Sequence, residues 1–292
     1  MKKKTLYFAA IIVPVFLIFA NCGVHAAELS GSIQIKGSDT MVNLGQGWAE
    51  QFMEKNPDVS IAVTGGGSGT GIAAIINGTC DIAQCSRAMK PQELDAAKKN
   101  GREVQEVETA IDALAVIVNP SNPVSQLTIE QLSGIFTGAV TNWKELGGED
   151  QPILVLSRER NSGTHVYFLE HIVRKGNEKG PEEYSPKALM LPSSQAISDE
   201  VAQSVSAIGY VGIGYVSNRQ KKIAVGKAAE GPFVLPSMDT ALDKTYPIAR
   251  GLFMYIPKNP SALVKSFMDF VLSDQGQEIV QQMDFVPLRK KS

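Results

Sequence analysis

Apolar positions recur along this chain with two different periods, and the periods alternate. Ile33-Gln34-Ile35 and Ser60-Ile61-Ala62-Val63 read as short strands, whereas Leu44, Trp48 and Phe52 fall at helical spacing within 42–55. The rhythm continues with a helix over 70–77, a strand at Asp81-Ile82-Ala83-Gln84, a polar helix over 91–100 and an extended piece over 103–108. Pro91 suits a first helical turn, and Asn100-Gly101 suits a helix stop. A βαβα succession of this kind predicts an α/β protein with a mostly parallel sheet.

Two unbroken apolar runs stand out. Ala113-Leu114-Ala115-Val116-Ile117-Val118 ends at Asn119-Pro120, and Leu252-Phe253-Met254-Tyr255-Ile256 ends at Pro257. Between them lies a self-contained segment with its own strand, Ile153-Leu154-Val155-Leu156, and a helix over 164–175. A long helix over 261–273 and another from Gln275 follow the second run. The chain is therefore expected to build one lobe from 27–115, cross into a second over 116–250, and return to the first over 251–292. Two crossing segments make a hinge, with a ligand cleft between the lobes.

The first residues look different. Lys2, Lys3 and Lys4 precede an apolar stretch from Leu6 to Ala20, and Val24-His25-Ala26 offers a small-x-small cleavage site: an export signal over 1–26. Cys22 offers an alternative, a lipid-anchored product, although Asn21 is a poor residue before such a site. Cleavage after Ala26 leaves 266 residues (292 less 26), with 25 of the 28 basic residues and all 30 acidic ones. The product is mildly acidic, without the basic stripe that a nucleic-acid partner requires. Any anion site must work through local geometry rather than overall attraction.

Cys80 and Cys85 flank a short strand, and five strand steps span about 16 Å, beyond a disulfide's reach. Both are expected to be free and buried. No metal motif is present: His165 and His171 lack the spacing, and there is no Cys-x-x-Cys or His-Glu-x-x-His. No cofactor is expected.

Three stretches carry the candidate chemistry: Gly37-Ser38-Asp39-Thr40, the run from Gly65 to Gly71 with Ser68 inside it, and Arg158 followed by Ser162-Gly163-Thr164. Each joins hydroxyls and small residues to a helix start, where backbone N–H groups are unpaired and the macrodipole is positive. Arg158 adds a fork of donors suited to a tetrahedral oxyanion. Ser162 also fits a plain helix cap, and Arg87, after Ser86, is either a second fork or a surface arginine paired with an acid. The glycine run lacks the lysine of a phosphate loop. It can be fitted to a dinucleotide fingerprint over Gly69–Ala74, but the next strand ends at Gln84-Cys85-Ser86 without the required acid. Asp39 either caps the helix or accepts a proton from the bound anion. The second role favours a protonated anion such as phosphate over sulfate or molybdate. No Gly-x-Ser-x-Gly elbow or Ser-x-x-Lys surrounds Ser68 or Ser162, so no enzyme is expected.

These stretches, with Asp81-Ile82-Ala83, Ile135-Phe136-Thr137-Gly138, Asn142-Trp143, Ile208-Gly209-Tyr210 and Phe285-Val286-Pro287-Leu288, resemble the substrate-binding protein of the bacterial high-affinity phosphate ABC transporter. The resemblance spans essentially the whole mature chain. It implies a two-lobed, class II type periplasmic-binding-protein fold, one phosphate in the cleft, and delivery to membrane permease subunits. It implies contacts from Thr40, the Met41 amide, Ser68, Arg158, Ser162, Gly163 and Thr164. The chain departs from the family's pattern twice. Ser86 stands where an aspartate usually accepts the phosphate proton, so Asp39 is expected to take that role, with Ser38 beside it and Ser86 and Arg87 as donors. Arg160 stands where an acid usually partners the arginine, which makes the pocket more positive. The product is expected to be periplasmic and to act as a monomer. The competing readings are a carrier of another oxyanion (sulfate, molybdate or tungstate), a secreted phosphatase, and a sensory or adhesive surface protein.

Overall fold

The structure, a computed structural model, describes residues 29–288. The export-signal expectation and the Cys22 alternative lie outside the described residues. Among the described residues no helix is long and apolar enough to cross a membrane.

The chain opens with β1 (Gly31–Gly37), a 3-10 turn at Asp39–Met41, α1 (Val42–Lys55), β2 (Val59–Thr64), α2 (Ser68–Asn77), β3 (Ile82–Cys85), α3 (Pro91–Lys99) and β4 (Val104–Val118). Next come β5 (Gln126–Thr128), α4 (Ile129–Thr137), β6 (Leu154–Arg158), α5 (Gly163–Phe168), β7 (Leu189–Leu191), α6 (Ser194–Gln203) and β8 (Ala207–Gly212). Short strands β9 (Lys221–Lys222), β10 (Ala224–Gly226) and β11 (Phe233–Val234) and the helix α7 (Met238–Leu242) lead to β12 (Ala249–Pro257), α8 (Ala262–Leu272) and α9 (Asp274–Gln282).

The main sheet runs β2-β1-β3-β12-β4-β8-β6-β7. Its flanks, β2-β1-β3 and β8-β6-β7, are parallel, and its centre is antiparallel: β12 against both β3 and β4, and β4 against β8. Two α/β halves thus share a central pair of long strands. β4 lies beside β12 from Val104 to Ala113, then beside β8 from Leu114 to Val118. Two large apolar clusters pack on the sheet, the first reaching from α1 and α8 across to Leu156, Ile197 and Val201 of the other half. One packs Trp48 and Phe52 of α1 against Phe267 of α8, with the Phe52 and Phe267 rings edge to face at 5.4 Å. The other gathers Phe136, Trp143, Phe168 and Tyr210, and stacks Phe168 on Tyr210 at 3.9 Å. Burying each such aromatic contributes about 1.5–3 kcal/mol.

Two elements differ from expectation. The pieces 103–108 and 113–118 are one continuous strand. Polar residues broke the apparent apolar run, but their polarity is satisfied by β12: Thr109 donates to the Leu252 carbonyl at 3.1 Å, and Asp112 pairs with Arg250. The helix expected over 164–175 is α-helical only to Phe168 and then widens into a π turn at Leu169–Val173. The wide turn buries both Ile172 and Val173 and presents the Val173 carbonyl to Ser133 Oγ at 2.7 Å. Cys80 and Cys85 are free and buried, as expected, and burial pushes the Cys80 thiol up to about 11.

α2 sits unusually close to β1. A Cβ on Gly71 would lie 2.4 Å from the Lys36 carbonyl oxygen and 2.6 Å from Gly37 Cα, so only glycine permits this approach. Gly71→Ala is expected to lower stability in urea unfolding by about 1–3 kcal/mol, the usual cost of overpacking. An unchanged midpoint would show that the two elements can separate freely.

Candidate functional site

Parallel strands end where ligands of α/β sheets usually bind, at their carboxyl edges. β1 delivers Ser38, Asp39 and Thr40; β3 delivers Ser86; and β6 delivers Arg158. Ser68 opens α2, and Thr164 lies in the first turn of α5. Four hydroxyls from these corners meet in one buried cluster. Thr40 Oγ1 lies 2.8 Å from Thr164 Oγ1, and Ser86 Oγ lies 3.4 Å from both Thr164 Oγ1 and Ser68 Oγ. The Ser86 N–H donates to Ser68 Oγ at 3.0 Å. A Cβ on Gly163 would fall 2.3 Å from Ser68 Oγ, so glycine is what lets α5 approach.

Arg158 is 2 % exposed. Its Nη1 donates to Ser194 Oγ at 2.9 Å and lies 3.2 Å from Asp39 Oδ2; its Nη2 donates to the Pro192 carbonyl at 2.9 Å. Burial pushes the pKa of the guanidinium down, and the Asp39 carboxylate opposes that shift. Asp39 Oδ2 also accepts the Ser194 N–H at 2.7 Å, and the Asp39 carbonyl accepts from Tyr215 Oη at 2.9 Å. The acid beside Arg158 is therefore Asp39. Arg160 is exposed and does not make this buried cluster more positive.

A second ion pair lies next to the hydroxyls and was not among the expected site residues. Arg250 on β12 stands directly opposite Asp112 on β4 in the strand register. Its Nε and Nη2 donate to Asp112 Oδ2 at 3.1 and 2.8 Å, and Nη2 also donates to Thr164 Oγ1 at 2.9 Å. Asp112 Oδ1 accepts the Ile213 N–H at 3.1 Å. The available signal was a single charge beside each apolar run, in Ile111-Asp112-Ala113 and Ala249-Arg250-Gly251. Buried charges survive when paired.

The remaining expected residues divide. Ser38 and Met41 are buried, and the Met41 N–H donates to the Ser38 carbonyl at 3.1 Å. Ser162 Oγ accepts from the Thr164 and His165 N–H groups, which is the plain helix-cap role. Arg87 does not join the cluster: its two terminal nitrogens donate to Glu93 at 2.7 and 2.8 Å. Glu93 sits in the first turn of α3, so the pairing with an acid is the geometry realised there, although Arg87 is largely buried rather than on the surface. Asn161 lies within the third candidate stretch but was not singled out as a site residue. Its carbonyl accepts the Gly69 N–H at 2.9 Å, and its side-chain amide donates to the Gly66 carbonyl at 2.8 Å, which ties α5's approach to the glycine run. Among the described residues no group of three or more His, Cys, Asp or Glu could hold a metal.

Residues 23–275 match the family model described as the PBP superfamily domain. The phosphate-binding protein PstS of Pseudomonas aeruginosa is 35% identical over 91% of this chain and 86% of its own length. The chain belongs to the PBP superfamily and to the PstS family within it. A protein of Clostridium perfringens, described as a phosphate ABC transporter substrate-binding protein and solved with bound phosphate, is a structural neighbour of this PstS-family chain. It has a TM-score of 0.79 and 35% identity, over 89% of this chain and 100% of that one. An ABC-type phosphate transport receptor of Vibrio cholerae superposes with a TM-score of 0.69 at 30% identity, over 87% of this chain and 99% of its own. The two structural neighbours are named for phosphate transport, and the two-lobed α/β fold they represent is the fold of this PstS-family chain.

Beneath Arg158 this PstS-family chain holds a neutral histidine. His165 Nδ1 lies 2.8 Å from the Arg158 carbonyl, and its ring packs 4.5 Å from that of Tyr184. Burial is the largest cause lowering its pKa. The unfolded chain therefore takes up a proton as pH falls through about 6.5, while the folded chain resists. Stability is present above that pH and lost as pH falls below it. His165→Gln is expected to flatten the fall in unfolding free energy between pH 7 and 5; an unchanged slope would show that His165 does not carry it.

Proposed function

We propose that this chain binds one inorganic phosphate in the cleft and presents it to the membrane permease subunits of an ABC importer. One observation carries this reading: hydroxyls from both lobes, Thr40, Ser68, Ser86 and Thr164, converge in a buried cluster with arginine beside it. Family membership gives the anion its identity, because the relatives above are named for phosphate. Burying a bare dianion would cost on the order of tens of kcal/mol. Charge-assisted hydrogen bonds, each net about 1.5–3 kcal/mol, offset that cost only if many are made together.

On this reading Thr40, Ser68, Ser86, Arg158 and Thr164 donate to phosphate, and Asp39 accepts its proton. The lobes are 27–115 with 251–292, and 116–250, joined through β4 and β12. Donors from both sides are satisfied only when the lobes close, so ligand shifts the population towards the closed form. The mature chain works outside the cytoplasmic membrane as a monomer, and as a binder rather than an enzyme. In support of the last point, Ser68 Oγ neighbours another serine and not a general base.

Titration calorimetry is expected to show one phosphate per chain and weaker binding of sulfate. Asp39→Asn should narrow the phosphate-to-sulfate gap by about tenfold or more, out of a ceiling near 10⁴–10⁵ for a site that bonds a ligand hydroxyl. Equal discrimination by parent and mutant would remove Asp39 from the acceptor role. Gly163→Ala tests closure separately. The new methyl would collide with Ser68 Oγ and Ser86 Oγ across the lobes. Phosphate affinity should fall by about 10- to 100-fold while the unliganded melting temperature holds; undiminished affinity would mean that closure does not need this contact.

A further inference from the structure

We propose that Arg250, fixed by Asp112, is a direct ligand of the oxyanion in the cleft, a second arginine alongside Arg158. This rests on the reading of the cleft as an oxyanion site. Of the two guanidiniums, Arg250 is the one that touches the hydroxyl cluster: Nη2 lies 2.9 Å from Thr164 Oγ1, which in turn reaches Thr40 and Ser86. Both terminal nitrogens of Arg158 are already taken by Asp39, Ser194 and Pro192. Arg250 Nη1 is buried without a hydrogen-bond partner. Proteins do not ordinarily leave a guanidinium N–H dry and unpaired, and a tetrahedral anion oxygen satisfies it.

Asp112 gives the arrangement its rigidity. One carboxylate oxygen holds the Nε and Nη2 edge of Arg250, the other is held by the Ile213 amide, and the guanidinium lies 5.4 Å from the centre of the Tyr167 ring. These contacts set the orientation of the fork. Because the pair sits on the two strands that join the lobes, it is built before the lobes meet, whereas the Thr40–Thr164 contact is made by their meeting.

Asp112 also sets the charge. Arg158, Arg250, Asp39 and Asp112 sum to zero formal charge, so a ligand must be held by directional hydrogen bonds rather than by net attraction. A doubly charged anion without a proton gains least from such a site. Asp112 is therefore a positioning residue that disfavours sulfate.

The test uses the full mature chain and inorganic phosphate. Arg250→Lys keeps the charge but loses the fork, and Asp112→Asn combined with Arg250→Gln removes the pair without stranding a buried charge. After circular dichroism confirms folding, both should bind phosphate about 10- to 100-fold more weakly, the loss of one or two charge-assisted bonds. Asp112→Asn alone should raise sulfate affinity relative to phosphate by about tenfold, a gain that a purely structural role would not give. Binding by Arg250→Lys within twofold of the parent overturns the assignment while leaving the cleft's phosphate role intact. A parent chain that binds no phosphate overturns both. Should the variants not fold, the parent labelled with 15N-arginine decides: phosphate should shift two buried guanidinium resonances, and a shift in only one overturns the proposal.

Discussion

A polar atom cannot be left dry at no cost, and the meeting of the two lobes is organised by that constraint. Each unpaired buried donor or acceptor costs about 1–3 kcal/mol. Across the cleft the pairing is reciprocal: Thr40 with Thr164, the Gly69 amide with the Asn161 carbonyl, and the Asn161 side chain with the Gly66 carbonyl. Bonds of this kind need backbones to come very close, and glycine makes that possible from both sides. A Cβ on Gly67 would stand 2.7 Å from the Asn161 carbonyl oxygen, just as one on Gly163 would strike Ser68. The glycine run thus serves two ends. It turns the chain into α2, with Gly67 at a φ of 91°, and it gives the opposite lobe a surface flat enough to dock on.

Local chemistry was legible in the sequence, and distant pairing was not. The alternation of helical and strand periods survives in nearly every element from β1 to α3, because each period depends only on which side of its own element is buried. Ser68 and Ser162–Thr164 were legible for a similar reason: helix starts advertise themselves in the few residues around them. The fusion of β4 escaped notice because Glu106, Glu108 and Asp112 interrupt its apolar run, and what answers Asp112 lies on β12, 138 residues away. Arg250 was hidden by the same distance. Arg87 misled in the opposite direction, since its partner Glu93 sits only six residues on, in a helix turn whose capping role draws the acid back towards it.

The two ion pairs beside the cluster differ in what they answer to. Asp112–Arg250 lies within one sheet, side chains 0 and 2 % exposed, between strands whose register sets the residues face to face. Such a pair is costly to break singly, about 3–5 kcal/mol, so it behaves as fixed architecture. Asp39–Arg158 instead joins the turn after β1 to the end of β6, and the Asp39 side chain retains 19 % exposure. Solvent reaches that pair from the Asp39 side only, so it is less enclosed than Asp112–Arg250 without being a surface pair.

On the proposed reading the lobes open as well as close, and there that difference matters. Were both pairs deeply buried and both made across the cleft, closure would be favourable without any ligand, and release would be slow. The pair confined to the joining strands adds nothing to the pull between the lobes, which is left to Asp39–Arg158 and the hydrogen bonds across the cleft. The balance then falls to whatever satisfies the cleft's remaining donors, Nε of Arg158 and Nη1 of Arg250, both buried without a partner. A ligand that bonds donors from both lobes at once favours the closed form, which is the condition for a binding protein whose shape reports its cargo.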